Sequence, residues 1–565
     1  MAFCPSCGSQ IQPSGKFCGN CGTPLAELLR AASPLSKTQP QPPNSLSSAV
    51  ASADRRILKP DVRVALASTI FVVPQHWMGA LEKLLNSVAA NPLDIVITSY
   101  QPERTEARQI DTERMQRQVS ASLRSHVSRA KYVCLIGLWS DIPPFQFKNP
   151  TANLGGGDSD THCLTDAPYG CVRAVNSAAD AIPDVPVGRI PSLDPSVVAS
   201  ALFDSPEWRD AKSAFLFGVT AECWTDATKE IVRRFVGGSA THTLIDSNLG
   251  IRPQSILTSP DWGLEELEEN ISATTIEKGA VLLFNVHGCA DEPGWYGEGI
   301  FGGEVRIFEP GVIPNFNDSV LLTEACYGGA MGYDSESVVE HFFQNGGKAF
   351  VGCSVIAYGS PYANICCADI LALECLQAIK NGESLGQALT LAKYEVLISD
   401  PRAQALNDKT VLSFNLYGAP WHKLKQAAPA SFASSLPEKT PGSAIDRVRS
   451  RLGGISNEQN ESSSVSQIRE NYLARLKIPQ RQFMLSQLEA RSTVLRFANS
   501  GQAQESLSQW GIDIDDCEME FFSFDNFEGY QLSGHSKRAD SARVVSLTLD
   551  GNGNVLKTMT SKGYL

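Results

Sequence analysis

Several things are missing from this 565-residue sequence, and each absence narrows its class. No uninterrupted apolar run approaches the roughly 20 residues that a membrane-spanning helix needs, so no membrane partner is expected. Positive charge is in deficit, with 48 Lys and Arg against 61 Asp and Glu and a net charge of −13. That balance argues against nucleic acid as a partner, because phosphate contacts need clustered positive charge. The opening stretch from Met1 to Cys7 lacks the basic flank and apolar core of a secretory signal, and a cytoplasmic location is expected. Fifteen cysteines is an odd number at uneven spacing, which fits reduced thiols and a metal site better than a disulfide framework. Gly155-Gly156-Gly157 has no following Lys-Ser/Thr and reads as a loop, not a phosphate cradle. No internal repeat is present. What remains is an ordinary globular composition, 42% hydrophobic and 19% charged, in a chain too long for a single core.

The first 25 residues stand apart. Cys4 and Cys7 form one C-x2-C pair, and Cys18 and Cys21 form a second. Four thiolates in two short turns satisfy one tetrahedral, structural zinc ion, and Gly8 and Gly22 leave backbone N–H groups able to bend toward sulfur. With almost no apolar core, such a ribbon takes its folding energy from the metal. Residues 26–60, with Pro40, Pro42 and Pro43, read as a flexible linker, and 426–466, with Gly453-Gly454 and the Ser462 to Ser464 run, as a second. Residues 467–565 read as a small α+β accessory domain. Its helical pattern runs to Leu488, strand-like pieces follow at Glu518 to Phe524 and Arg543 to Leu549, and a turn at Asp550 to Gly553 returns the chain through Val555 to Thr560. The ribbon and this domain are the places where a regulatory protein partner is expected.

Between the linkers, residues 61–425 alternate apolar runs with helical patterns. The runs are Val62 to Val73, Leu93 to Tyr100, Tyr132 to Leu138, Ala214 to Val219, Ala280 to Val286, Ser319 to Ala325, Lys348 to Ile356 and Ser413 to Tyr417. Helical periodicity covers His76 to Ala89, Thr105 to Ser128, Thr225 to Phe235, Glu336 to Gln344, Tyr362 to Ile379 and Leu385 to Leu397. The alternation predicts a three-layer α/β/α sandwich with a mainly parallel sheet.

Ligands of such sheets gather at the carboxyl ends of the strands. Two runs end notably: Ala280 to Val286 in His287-Gly288, and Ser319 to Ala325 in Cys326-Tyr327-Gly328-Gly329. An imidazole beside a thiol is what nucleophilic catalysis needs, and the glycines let backbone N–H groups approach an oxyanion. His162, Cys163 and Cys171 fit no familiar metal spacing and read as loop residues, and Cys366-Cys367 as core.

At these residues the sequence resembles the caspase-like cysteine peptidases of the caspase-hemoglobinase fold, and within them the gingipain branch. The carrying blocks are Leu-Leu-Phe-Asn-Val-His287-Gly288 and Leu-Leu-Thr-Glu-Ala-Cys326-Tyr-Gly-Gly. Thr165-Asp166-Ala-Pro-Tyr169, Pro183 to Pro191, Gly346 to Gly352 and Phe414 to Pro420 are similar in order and wording. The resemblance covers about 61–425, divided into subdomains 61–205 and 206–425. It implies Cys326 as nucleophile, His287 as general acid/base and the N–H groups of Gly288 and Cys326 as the oxyanion hole. It also implies a protein or peptide substrate cut after one chosen side chain. Asp166 is the candidate selector of Arg or Lys, with Asp160, Asp291 and Asp334 as rivals, and cleavage of the chain's own linkers at Arg55, Arg56, Arg447, Arg449 or Arg451 would follow from such a preference. A third site member is left open between Glu324 and Asp291, and a calcium requirement is undecided. The expected function is a cysteine endopeptidase of regulated intracellular proteolysis, by analogy in defence or cell death. A silent zinc-ribbon scaffold and an acyltransferase using the same dyad are the alternatives.

Overall fold

A computed structural model describes residues 60–88, 96–100, 117–119, 121–122, 124–125, 130–152, 158–204, 216–236, 255–259, 263, 279–298, 304–313, 315–332, 335–423, 481–497, 500–524, 527–536 and 544–562. The ribbon, both linkers apart from Pro60, and most of the helical pattern at Thr105 to Ser128 lie outside the described residues.

The apolar run Val62 to Val73 is not one strand. It divides into helix α1 (Pro60–Ala67) and strand β1 (Thr69–Pro74). Val62 and Leu66 are buried while Val64 is 59% exposed, the spacing of a helix face and not of a strand. Strand β1 pairs in parallel with β2 (Val96–Tyr100) and β3 (Tyr132–Ile136). A short ladder of β4 (Phe145–Lys148) and β5 (His162–Thr165) follows, and then β6 (Val187–Ile190), which joins β3. The second half contributes β7 (Leu216–Ala221), β8 (Ser255–Ser259) and β9 (Val281–Asn285). A small antiparallel sheet of β10 (His287–Gly288), β11 (Trp295–Glu298) and β12 (Glu304–Phe308) leaves the end of β9. Strands β13 (Val320–Thr323), β14 (Ala349–Cys353), the short β15 (Tyr358–Gly359) and β16 (Phe414–Gly418) complete this part.

Ten of these strands form one sheet in the order β2-β1-β3-β6-β16-β14-β13-β9-β7-β8. The two halves are each parallel within themselves and meet at the antiparallel β14–β16 ladder. Alternate residues of the central strands serve two cores. Leu282, Phe284, Leu321 and Phe350 pack with α1, α2 (Met78–Val88), α3 (Pro195–Phe203) and α5 (Val338–Gln344). Val281, Leu283, Val320, Leu322 and Val351 pack with α4 (Thr225–Val236), α6 (Cys367–Lys380), α7 (Leu385–Ser399) and α8 (Gln404–Ser413). This is the expected three-layer sandwich, and burial on both faces explains why its strands read as nearly continuous apolar runs.

The C-terminal region holds β17 (Arg481–Leu485), α9 (Gln487–Arg496), α10 (Ser500–Gln509), β18 (Glu518–Phe524), β19 (Phe527–His535), β20 (Val544–Asp550) and β21 (Val555–Ser561). Residues Arg481–Leu485, expected to be helical, are a strand because they complete a ladder with β18, and tertiary pairing overrides local propensity. Its strands are ordered β15-β21-β20-β19-β18-β17. The first member of that sheet, β15, comes from the sandwich.

Gly218 of β7 lies so close to β9 that a Cβ there would sit 1.8 Å from the Leu283 carbonyl oxygen. Gly218→Ala is therefore expected to destabilise the protein by about 1–3 kcal/mol or more, as overpacked cores do, measured as a lowered denaturant midpoint.

Candidate active site

Parallel pairing of β9 with β13 sets Phe284 opposite Thr323, and His287 and Cys326 each follow three residues later on the same edge. The backbones then nearly touch, since a Cβ on Gly288 would lie 1.8 Å from the Cys326 carbonyl oxygen. Beyond Cys326 the chain turns sharply, with Tyr327 in the left-handed region at φ 54°. The Tyr327 N–H donates to the Val355 carbonyl at 2.9 Å, and its hydroxyl donates to Asp160 at 2.7 Å.

His287 is fully buried against Trp224, with ring centroids 4.3 Å apart. Its Nε2 lies 2.7 Å from a carboxylate oxygen of Glu298 on β11. The carboxylate beside His287 is thus that of Glu298, and not of Glu324 or Asp291. Asp291 is exposed in the loop joining β10 to β11, and Glu324 faces elsewhere. The thiol of Cys223 lies close by, and Cys223, His287 and Glu298 offer ligand atoms all within 4.8 Å of one another. Among the described residues this is the set suited to hold a soft divalent ion. Cys326 is buried, and its Sγ accepts a hydrogen bond from the Ala357 N–H at 3.1 Å. Burial pushes this thiol well above its ordinary value.

Two N–H groups converge on one acceptor. Gly288 and Cys326 each donate to the carbonyl oxygen of Lys562, both at 3.3 Å. Lys562 follows β21, which pairs antiparallel with β15 through Tyr358 opposite Ser561 and Gly359 opposite Thr560. The Lys562 N–H extends that pairing to the Ala357 carbonyl at 2.8 Å. Its side chain is fully buried. The ammonium donates to Asp369 at 2.6 Å, to the Asn285 amide oxygen at 2.8 Å and to Glu324. It also lies 5.4 Å from the Trp224 ring centroid. Gly359 makes room for the stem, because a Cβ there would meet Lys562 Cε at 2.0 Å. Burial alone would lower the ammonium's pKa, but the charges of Asp369 and Glu324 outweigh it and hold Lys562 above its ordinary value. Burial also pushes Glu324 up, to about 8, against the pull of Lys562.

Sequence reasoning singled out His287, Cys326 and Gly288, and the structure places them at one edge of the sheet. It missed Asn285, Glu298, Asp369 and Lys562. Asn285 and Glu324 had a signal: each lies two positions before a dyad residue, on the same face of its strand. Asp166 is a correction. Its carboxylate is held by the buried Arg189 through two bonds, Nε at 2.7 Å and Nη2 at 2.6 Å, so it has no charge to offer a substrate. Asp160 is likewise occupied, by Lys409 at 2.7 Å and the Ile356 N–H at 2.8 Å. Asp334, the four ribbon cysteines Cys4, Cys7, Cys18 and Cys21, and the linker arginines lie outside the described residues.

The family model of peptidase family C25 matches residues 66–425, and a zinc-ribbon domain model matches residues 3–25. A comparison with curated proteins finds no match. Among solved structures, the chain is similar to the Arg-specific cysteine proteinase gingipain R (RgpB), with 10% identity, a TM-score of 0.46, and coverage of 66% of this chain and 81% of that one. It is also similar to the complex of the Porphyromonas gingivalis RgpB pro- and mature domains, with 12% identity, a TM-score of 0.45, and coverage of 64% and 81%. With the family match extending over more than half of its length, the chain belongs to peptidase family C25, the gingipain family, and is a cysteine-type peptidase.

Proposed function

We propose that the protein is an endopeptidase that cuts after a basic residue, with Cys326 as nucleophile and His287 as general acid/base. The observation that carries this reading is the convergence of the Gly288 and Cys326 N–H groups on a single carbonyl oxygen, as an oxyanion hole requires. In the proposed cycle a substrate carbonyl takes that position. His287 removes the thiol proton, sulfur attacks the carbonyl carbon, and the imidazolium returns the proton to the leaving amine. Glu298, 2.7 Å from Nε2, stabilises the charged form of the ring, which assigns proton exchange with the reacting groups to Nδ1. Water then hydrolyses the acyl-enzyme. The basic preference is supported by Glu324, Asp369 and Asn285, which together surround an ammonium group beside the dyad.

In this proposal Cys4, Cys7, Cys18 and Cys21 hold one structural zinc ion, and the ribbon recruits a regulatory protein. The site of action is the cytoplasm and the role is regulated proteolysis. The buried Cys134, Cys326, Cys353, Cys366, Cys367 and Cys375 are all free thiols, which supports a reducing compartment.

The test is a positional-scanning peptide library offered to the intact chain and to Cys326→Ala. Cleavage after Lys or Arg that disappears in the variant is expected, and cleavage after Asp or Asn would overturn the basic preference. Glu324→Gln combined with Asp369→Asn is expected to lower kcat/KM on Lys peptides by about 10²-fold, the size of a lost buried charge pair. Asp166→Ala is expected to leave the preference unchanged while destabilising the fold by about 3–5 kcal/mol, because Arg189 is left buried without its partner, read from urea unfolding.

A further inference from the structure

We propose that the C-terminal strand is a substrate mimic built into the chain: β21 fills the cleft in cis, Lys562 stands where the residue before the cut bond would stand, and the intact chain is latent until this arm is displaced. The inference rests on the peptidase reading above and adds its regulation.

Three separate contacts support it, each of a kind a substrate would make. The first is backbone pairing, in which Thr560 and Ser561 add to the edge of β15 and the Lys562 N–H bonds Ala357, the strand-addition mode of peptide recognition. The second is the Lys562 carbonyl, held by the two N–H donors beside Cys326. The third is the ammonium, buried among Asp369, Asn285 and Glu324. A strand packed against the sandwich only for stability would need none of these to coincide. Together they set the register of the arm to the residue and place its carbonyl on the Cys326 N–H.

The arm is also presented rigidly. Strand β21 pairs with β20 from Val555 to Thr560, and β20 belongs to a sheet with its own core of Met519, Leu532, Val545, Leu547 and Leu549. The Ser561 hydroxyl accepts the Val544 N–H at 3.2 Å, and Trp224 reaches the Thr560 hydroxyl at 3.4 Å. A tethered, preordered occupant competes with free substrate at a high effective concentration. While it is seated, the Cys326 sulfur is engaged by the Ala357 N–H, and no external peptide can reach β15.

The experiment compares full-length wild type, Lys562→Ala and Lys562→Met. The methionine retains the buried stem without the ammonium, and thermal melts verify the fold of all three proteins. Two rates are read: turnover of a fluorogenic lysyl peptide, and labelling of Cys326 by a peptidyl lysine chloromethyl ketone located by mass spectrometry. Both variants are expected to turn over and label roughly tenfold faster than wild type or more, as when a competent state stops being a minor population. A synthetic peptide of residues 555–562 is expected to slow them again. Equal rates in all three proteins would overturn the mimic and leave the peptidase reading standing, whereas folded proteins that neither turn over peptide nor label at Cys326 would overturn both. A second measurement needs no variant: hydrogen exchange across 555–562 in wild type should rise once Cys326 carries the ketone, and unchanged protection in the labelled protein would contradict the proposal.

Discussion

Strands β9 and β13 lie side by side, parallel and in register, and the whole site depends on that pairing. Both are buried on both faces, so a slip of either would expose apolar side chains or bury polar ends, and the register is strongly specified. Once it is set, His287 and Cys326 must emerge at one level. Asn285 and Glu324, two positions earlier in each strand, reach the same ammonium. Gly288 is required because a side chain there would collide with the Cys326 carbonyl. One hydrogen-bonded ladder thus positions His287, Cys326, the Gly288 N–H and two of the groups around the Lys562 ammonium.

That dependence explains how much of the site is legible in the sequence. Two nearly continuous apolar runs ending in His-Gly and Cys-Tyr-Gly-Gly announce both the strands and their chemical ends, because burial on both faces removes polar residues from everything before the tip. Residues that arrive from other elements leave no such trace. Glu298 reaches His287 across the β10–β11 hairpin, Asp369 comes from the first turn of α6, and Lys562 meets Glu324 over a separation of 238 positions. The misreading of Asp166 has the same cause. A carboxylate in a plausible block looks available until Arg189, buried in β6, is seen to take both of its oxygens. The run Val62 to Val73 was apolar enough for a strand, and only the exposure of Val64 between buried neighbours reveals a helix in its first half.

Three of the buried charge clusters among the described residues have different duties. Arg189 with Asp166 ties β6 to the segment after β5. Lys409 joins Asp158 and Asp160, and Asp160 in turn takes the Tyr327 hydroxyl and the Ile356 N–H, so this cluster braces the turn after Cys326 and the approach to β15. Ion pairs of this kind add little net stability over apolar packing, but losing one partner is severe, which suits them to fixing geometry. The third cluster, Lys562 with Asp369 and Glu324, differs in that its cation belongs to the C-terminal region and its acids to the sandwich.

A pocket that releases its cation must tolerate two buried carboxylates left behind, and these two are equipped differently for that. Asp369 also accepts the N–H groups of Ser360 at 2.7 Å and Cys366 at 3.1 Å, so its carboxylate is fixed by the sandwich as well as by the ammonium. Glu324 is pushed up to about 8 by burial even with the Lys562 ammonium beside it, and its hold is that ammonium. In the latent-arm proposal, a departing cation would leave one acid still anchored by backbone donors and one that burial biases toward its neutral form, and a pair of unequal acids suits such an exchangeable occupant better than two equal ones.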